Sequence, residues 1–269
     1  VLKQRIFTSL VLIAILLGAL FIAPPIGFQI LVALIIAVAA WECSNFAELE
    51  TLLLRCAYVG IVVAGVLGVW HYLSSIDELR SFFVAAAIWW AIALLWIQGY
   101  PSSQVFWQSR YVRALMGALI LVPAGVSILT IHQMTNGRWF VLGLLLIVAT
   151  ADTGAYFSGK AFGKHKLAPK VSPGKTWEGV FGGLLMVAAA ALIFGLTTDH
   201  AWFTGLVVAV PTAAVSVVGD LIESMLKRHR GIKDSGLILP GHGGIMDRID
   251  GITAAAPIFA LGLIIVGWI

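Results

Sequence analysis

The sequence predicts an all-α integral membrane protein, a polytopic helical bundle of about nine transmembrane helices with its amino terminus in the cytoplasm. Three observations predict it. Charged residues make up 11% of the 269-residue chain against about 25% in a soluble domain, while apolar residues reach 60% and mean hydropathy is +0.99. Apolar runs close to the roughly 20 residues that cross roughly 30 Å of hydrocarbon recur along the whole chain. Lysines and arginines are concentrated on alternate connections between those runs. So little charge cannot cover a water-soluble surface, which excludes a soluble enzyme, a nucleic-acid binder and a disordered chain together.

Nine runs qualify, at 6–23, 27–46, 54–73, 82–97, 111–131, 139–158, 177–196, 203–223 and 251–268. The first follows Lys3 and Arg5 and reads as an uncleaved helix, because another span begins within a few residues of its end. Pro24-Pro25 separates it from the second run, and the polar stretch Ser74 to Ser81, with Asp77, Glu78 and Arg80, divides the third from the fourth. Gly99-Tyr100-Pro101 ends the fourth, and Asn136-Gly137 turns the chain after the fifth. With the amino terminus inside, fifteen of the 17 basic residues, Arg113 among them, fall on the inner side, and only Arg80 and Arg138 lie outside. An even number of spans would destroy that asymmetry. Two polar loops, 159–176 and 224–250, are therefore cytoplasmic, and the carboxyl terminus lies outside. Aromatic residues at run ends, such as Trp41, Trp96, Trp107, Trp139 and Trp202, suit headgroup belts. Cys43 and Cys56 lack ligand or redox spacing and read as small apolar filler. Organisation follows as an amino-terminal region of about five spans, 1–135, and a catalytic region, 136–269. No repeat of 20–50 residues suggests a transporter built from related halves.

Ten of the 17 basic residues lie between Asp152 and Asp250, and the chemistry is expected there. Asp152 sits in an apolar helix, where an ionisable group at membrane depth is a functional candidate needing a lysine or metal partner. Lys160, Lys164, Lys166, Lys170 and Lys175, with Gly159, Gly163 and Gly174 between them, suit phosphate binding. Ser172 to Thr176 ends in G-K-T, but Pro169 stands where a P-loop opens with Gly. Ser172 and Pro173 instead suggest a capped helix start with N–H groups open to anions. Farther on, Asp220, Glu223 and Lys227 share one helix face, and Gly231 closes that helix. Pro240-Gly241-His242-Gly243-Gly244 can form a backbone nest, followed by Asp247 and Asp250 at the start of the ninth span. Asp220 and Asp247 suit Mg²⁺ shared with substrate phosphates, with Asp152 and Asp250 next in line. His242 is read equally as a general base and as a phosphate donor. Glu178 and Glu42 read as internal polar partners.

Ser224 to Asp250 follows the pattern S-x-L-K-R-x4-K-D-S-G-x2-L-P-G-H-G-G-x2-D-R-x-D, and Ala151 to Gly179 precedes it. Both stretches resemble CDP-diacylglycerol synthases, also called phosphatidate cytidylyltransferases. The resemblance covers the last 120 or so residues closely and the earlier spans by hydropathy. It implies transfer of a cytidylyl group from CTP to phosphatidic acid at the cytoplasmic face of a membrane, a bacterial inner membrane being the one suited. It also implies Mg²⁺, a second ion such as K⁺, and a homodimer. Expected metal ligands are Asp220, Asp247, Asp152 and Asp250. Expected substrate-binding residues are Lys227, Arg228, Lys233, Lys175, Ser172, Ser224, Lys164, Lys166, Gly243, Gly244 and Arg248. Two other classes compete, and a purely structural membrane scaffold would leave the clustered lysines and aspartates unexplained. A transporter would place polar groups in the outer halves of several spans, where only Asp77, Glu78 and Asp199 occur, in connecting turns. A transferase acting on a polyprenyl or dolichyl phosphate would use the same physics, and only the signature opposes it.

Overall fold

The computed structural model describes residues 2–197, 202–236, 238–239, 241 and 243–268, so that Asp199, Pro240 and His242 lie outside the described residues. Backbone in hydrocarbon must satisfy its own hydrogen bonds, and each long apolar run has become a helix. Eight helices are long and apolar enough to cross a membrane: α2 (Pro25–Phe46), α3 (Leu52–Tyr72), α4 (Ile76–Gln98), α6 (Arg110–Gln133), α7 (Gly137–Phe162), α8 (Trp177–Thr197), α9 (Trp202–Arg230) and α10 (Met246–Ile265). A ninth, α1 (Leu2–Phe21), carries a shorter apolar stretch, Phe7–Phe21. A single turn, α5 (Gln104–Trp107), links α4 to α6. The all-α bundle carries one small addition, an antiparallel hairpin of β1 (Lys166–Ala168) and β2 (Ser172–Thr176) between α7 and α8.

Local chemistry sets the helix ends. Pro25 opens α2, where its missing N–H has no partner to lose. Thr51 caps α3 by accepting from the Leu54 N–H at 3.3 Å. Ser75 and Glu78 form a reciprocal capping box, so α4 starts at Ile76 and takes in Asp77, Glu78 and Arg80, which the hydropathy pattern had assigned to a connector. Asn136 adopts a left-handed φ of 62° before α7. Gly231, at φ 71°, ends α9 after its basic last turn, as expected.

Contacts between helix ends give alternating directions. At one end, the Arg138 guanidinium reaches Phe21 O, and the rings of Phe21 and Trp139, like those of Phe140 and Trp268, lie side by side. The other end gathers the carboxyl ends of α2, α4, α7 and α9 with the amino ends of α3, α6, α8 and α10. The amino end of α1 falls at that same end, so the nine long helices alternate in direction.

Arg113, one of the basic residues counted on the inner side, is withdrawn from the surface. It is 3% exposed, donates to Phe46 O at 2.8 Å and to Gln108 O, pairs with Glu48 at 2.5 Å and approaches His229 Nε2 at 2.9 Å. Four acceptors from three parts of the chain compensate the buried guanidinium, which thereby ties α2 and α9 to α6. Trp107 is likewise no belt residue. It is fully buried against Tyr100 and His229, with its indole N–H directed at Ser103 Oγ.

Helices α7 and α8 meet along small residues. A Cβ at Gly154 would lie 2.9 Å from Gly183 Cα, and one at Gly179 would lie 2.9 Å from Ala155 O. Without a hydrophobic driving force between helices in lipid, such close backbone approach supplies the attraction. Gly183→Leu should therefore force α7 from α8 and cost on the order of 1–3 kcal/mol, read as a lower thermal unfolding midpoint in detergent. Gly60→Leu, where a Cβ meets nothing within 4 Å, is the control expected to melt like wild type.

Candidate active site

Gly219 lets α9 and α10 come into backbone contact, since a Cβ there would collide with Asp250 O. Across that contact Asp220, Glu223 and Lys227 of α9 face Asp247 and Asp250 of α10. Lys227 Nζ lies 2.8 Å from Glu223 Oε2 and 2.6 Å from Asp247 Oδ1. Lys175, carried in by β2, pairs with Asp220 Oδ2 at 2.6 Å, and the Ser224 hydroxyl donates to Asp220 Oδ1 at 3.2 Å. Asp152 on α7 is an electrostatic neighbour of Lys175 and Asp220. Asp250 stands in the same relation to Asp220, Lys175 and Lys227. Four aspartates and one glutamate thus surround two lysines, a cluster assembled from four separate elements.

Ionised, the cluster is more negative than its two ammoniums can offset, and Glu223 Oε1 is buried with no hydrogen-bond partner. A buried unpartnered carboxylate oxygen is costly unless the group is protonated or something positive completes it. Oxygen donors suit Mg²⁺, but among the described residues no three of these carboxylates stand close enough together to hold an ion as they are arranged here. Glu223 was visible in the sequence only as a member of a helix face, because no spacing rule shows which oxygen will lack a donor.

The signature loop is shaped by carboxylates of the chain itself. Gly241 and Gly243 take φ values of 75° and 80°, open to glycine at little cost, and the Leu239 N–H donates to Gly243 O at 2.9 Å. Asp247 Oδ2 then accepts from Gly244 N at 2.8 Å and from both the backbone N–H and the hydroxyl of Ser235 at 2.9 Å. The Gly244 N–H, expected to meet a substrate anion, is directed at Asp247. Beneath the loop, Glu42 of α2 is 2% exposed and accepts from Ile245 N at 3.1 Å and Met246 N at 2.7 Å, and its Oε2 lies 2.9 Å from Ser235 Oγ, whose single proton Glu42 and Asp247 share. Ser235, which the sequence reading did not single out, lies between the two carboxylates.

The other expected residues spread around this core. Ser172 belongs to β2 opposite Ala168, and α8 begins only at Trp177. The capping role expected of Ser172 and Pro173 falls instead to Thr176, whose Oγ1 accepts from the Gly179 N–H at 3.2 Å, because the preceding residues are engaged in the strand pair. Arg228 Nε donates to Val171 O at 3.2 Å, tying the hairpin to α9. Lys164, Lys166 and Lys233 are exposed, and Arg248 lies in the first turn of α10. Glu178 holds the hairpin by accepting from the Lys164 and His165 N–H groups.

Glu42 supports the loop from the amino-terminal half, and Glu42→Ala would strand the Ile245 and Met246 N–H groups, each costing about 1–3 kcal/mol, while the Ser235 hydroxyl keeps Asp247 as its acceptor. The variant should show a lowered unfolding midpoint, and limited proteolysis should cut the chain between Ser235 and Met246 faster than in wild type.

A model of the cytidylyltransferase family matches residues 3–266. The chain is 43% identical over 271 residues to the phosphatidate cytidylyltransferase of Pseudomonas aeruginosa, covering 99% of this chain and 98% of that protein. It is 41% identical over 284 residues to the enzyme of that name from Haemophilus influenzae, with 96% and 97% covered. The Bacillus subtilis protein of the same name is 33% identical over 264 residues, with 95% of each chain covered. Because the likeness runs nearly end to end, through helices remote from the charged cluster as well as through the cluster itself, the chain belongs to the cytidylyltransferase family.

Proposed function

We infer that this chain acts as a phosphatidate cytidylyltransferase, converting CTP and phosphatidate to CDP-diacylglycerol and pyrophosphate. Near-full-length identity to bacterial enzymes of that name carries the assignment. The position of the charge cluster supports it. One substrate is a water-soluble polyanion and the other a lipid with its phosphate at the membrane surface, so their meeting place must lie at helix ends. The positive-inside pattern puts that end on the cytoplasmic side, and the bacterial relatives favour an inner membrane.

In the step itself a phosphatidate oxygen attacks the α-phosphorus of CTP in line. The new P–O bond forms as the bond from the α-phosphorus to the bridging oxygen breaks, and pyrophosphate departs with that oxygen. No protein nucleophile is required. Asp220 and Asp247, with Asp152, Asp250 and Glu223, are the residues that would hold Mg²⁺, and room in the charge balance remains for a second, monovalent ion. Bound there, the metal would neutralise phosphate charge and polarise the α-phosphorus.

The chain's own part is to place ammonium groups. Lys227 has three donors and gives two to Glu223 and Asp247, which leaves one for a phosphate oxygen. Lys175, aimed by Asp220, approaches from the hairpin on the opposite side. We assign both to the triphosphate, with Arg228 and Lys233 at the rim. The loop glycines Gly243 and Gly244 keep backbone close to Asp247 and admit no side chain, since a Cβ at Gly243 would stand 2.6 Å from Asp247 Oδ2.

Detergent-purified protein given CTP, phosphatidate and Mg²⁺ should release pyrophosphate only when all three are present, and EDTA should stop it. Asp220→Asn should lower kcat by about 100-fold or more while the protein elutes and melts normally. Wild-type turnover in that variant would remove Asp220 from the site. Asp247→Asn should lose turnover and also loosen the loop, because Asp247 accepts from Gly244 and Ser235. Lys227→Gln should raise the CTP concentration for half-maximal rate by about tenfold or more, and an unchanged CTP dependence would take Lys227 out of the triphosphate site.

A further inference from the structure

Where α7 ends and α8 begins, Lys164, His165, Lys166, Trp177, Glu178 and Phe181 line a concave surface of about 610 Å³. Its backbone is firmly held. Glu178 accepts from the Lys164 N–H at 3.1 Å and the His165 N–H at 3.2 Å, and its Oε1 lies 2.6 Å from His165 Nδ1. The Trp177 N–H closes the turn onto His165 O at 2.9 Å. Glu178 is thus engaged by backbone and imidazole, and its contact with Nδ1 leaves the Nε2 edge of His165 free for a ligand. Among the described residues neither the Lys164 nor the Lys166 ammonium has a hydrogen-bond or ion-pair partner.

The wall below these cations is apolar. Trp177 and Phe181 follow each other by one turn of α8, their ring centroids 6.0 Å apart, and are 46% and 64% exposed. In a helix that crosses the bilayer, exposed rings one turn from the inner end meet acyl chains at headgroup depth. A basic rim over an aromatic, lipid-facing wall complements a lipid phosphate with its chains directed into the membrane. The same hairpin serves the reaction cluster. Lys166 stands opposite Thr176, and the residue before Thr176 is Lys175, which reaches Asp220.

We propose that Lys164, His165 and Lys166, with Trp177 and Phe181, are the docking site for the phosphomonoester headgroup of the lipid substrate, beside the triphosphate site and joined to it by the hairpin. This inference rests on the transferase function proposed above and names the place of its lipid partner. A phosphomonoester carries about 1.5 to 2 negative charges near neutral pH, whereas the phosphodiester of a bulk phospholipid carries only one. Two uncompensated ammoniums on a fixed backbone therefore select the more highly charged headgroup.

The test measures pyrophosphate release by the full chain in mixed micelles, varying phosphatidate at saturating CTP and then CTP at saturating phosphatidate. Lys164→Gln/Lys166→Gln should raise the phosphatidate surface concentration for half-maximal rate by about tenfold while the CTP requirement moves by less than about twofold. Lys164→Arg/Lys166→Arg should keep the wild-type lipid dependence, because it keeps the charge. A lipid dependence unchanged by the glutamine pair, or a shift falling on CTP, overturns the proposal. Native mass spectrometry without CTP separates the possible lipid sources: wild type should hold dioleoyl phosphatidate in preference to dioleoyl phosphatidylglycerol, and the glutamine pair should lose that preference. Equal retention of both lipids by wild type overturns the phosphomonoester assignment in favour of a general anionic-lipid surface. Absence of pyrophosphate release from wild type with both substrates and Mg²⁺ overturns the transferase function instead, and the binding arm still judges the docking site.

Discussion

Lys227 is held between Glu223 Oε2 at 2.8 Å and Asp247 Oδ1 at 2.6 Å, and much of the inner end of the bundle is organised around that half-buried triad. Charges removed from water need partners at close range, and these three come from two helices that must cross tightly for the distances to be met. Gly219 permits the crossing, because α9 there lies against the backbone of α10. Asp247, so placed, also accepts from Ser235 and Gly244, and the loop between the helices acquires its shape from that carboxylate. Glu42 extends the arrangement into α2 through Ser235, Ile245 and Met246. The amino-terminal spans are therefore more than a membrane anchor, since one of them carries the carboxylate on which the signature loop rests.

A second constraint is the meeting of two phases. Water-soluble nucleotide and membrane-bound lipid can react only where helix ends, headgroups and solvent coincide. The small hairpin between α7 and α8 sits at that boundary. Its strand β2 sends Lys175 toward Asp220, and β1 with the residues before it presents cations above the rings of Trp177 and Phe181. Arg228 binds the hairpin to α9, and the glycines along α7 and α8 bring its two supporting helices together. Rigid placement on both sides matters because an in-line transfer tolerates little error in the approach of its two phosphates.

Much of this was legible in the residues. Nine long apolar helices, eight of them of membrane-spanning length, and the gathering of charged side chains after Asp152 followed from hydropathy, proline and glycine breaks and the placement of lysines. Asp152, Lys175, Asp220, Lys227, Asp247 and Asp250 were expected in one site and stand together in one cluster. Other assignments depended on partners that spacing cannot reveal. Nothing in its spacing marked Arg113 as the buried clamp it forms, and Trp107 looked like a belt residue and is fully enclosed. Asp77, Glu78 and Arg80 looked like a connector and lie within α4, since the Ser75 cap outweighs the polarity of its first turn.

The sequence by itself determined the class and the succession of long apolar helices, because each depends on the transfer of single segments between water and lipid, which composition and local order decide. Only the tertiary structure decided which lysine answers which carboxylate, which glycine N–H groups serve the chain's own anions, and which oxygen of Glu223 is left without a donor. Those outcomes depend on distances of about 3 Å between groups far apart in the chain, and such distances are set by helix crossing and packing, on which the order of residues along any one span is silent.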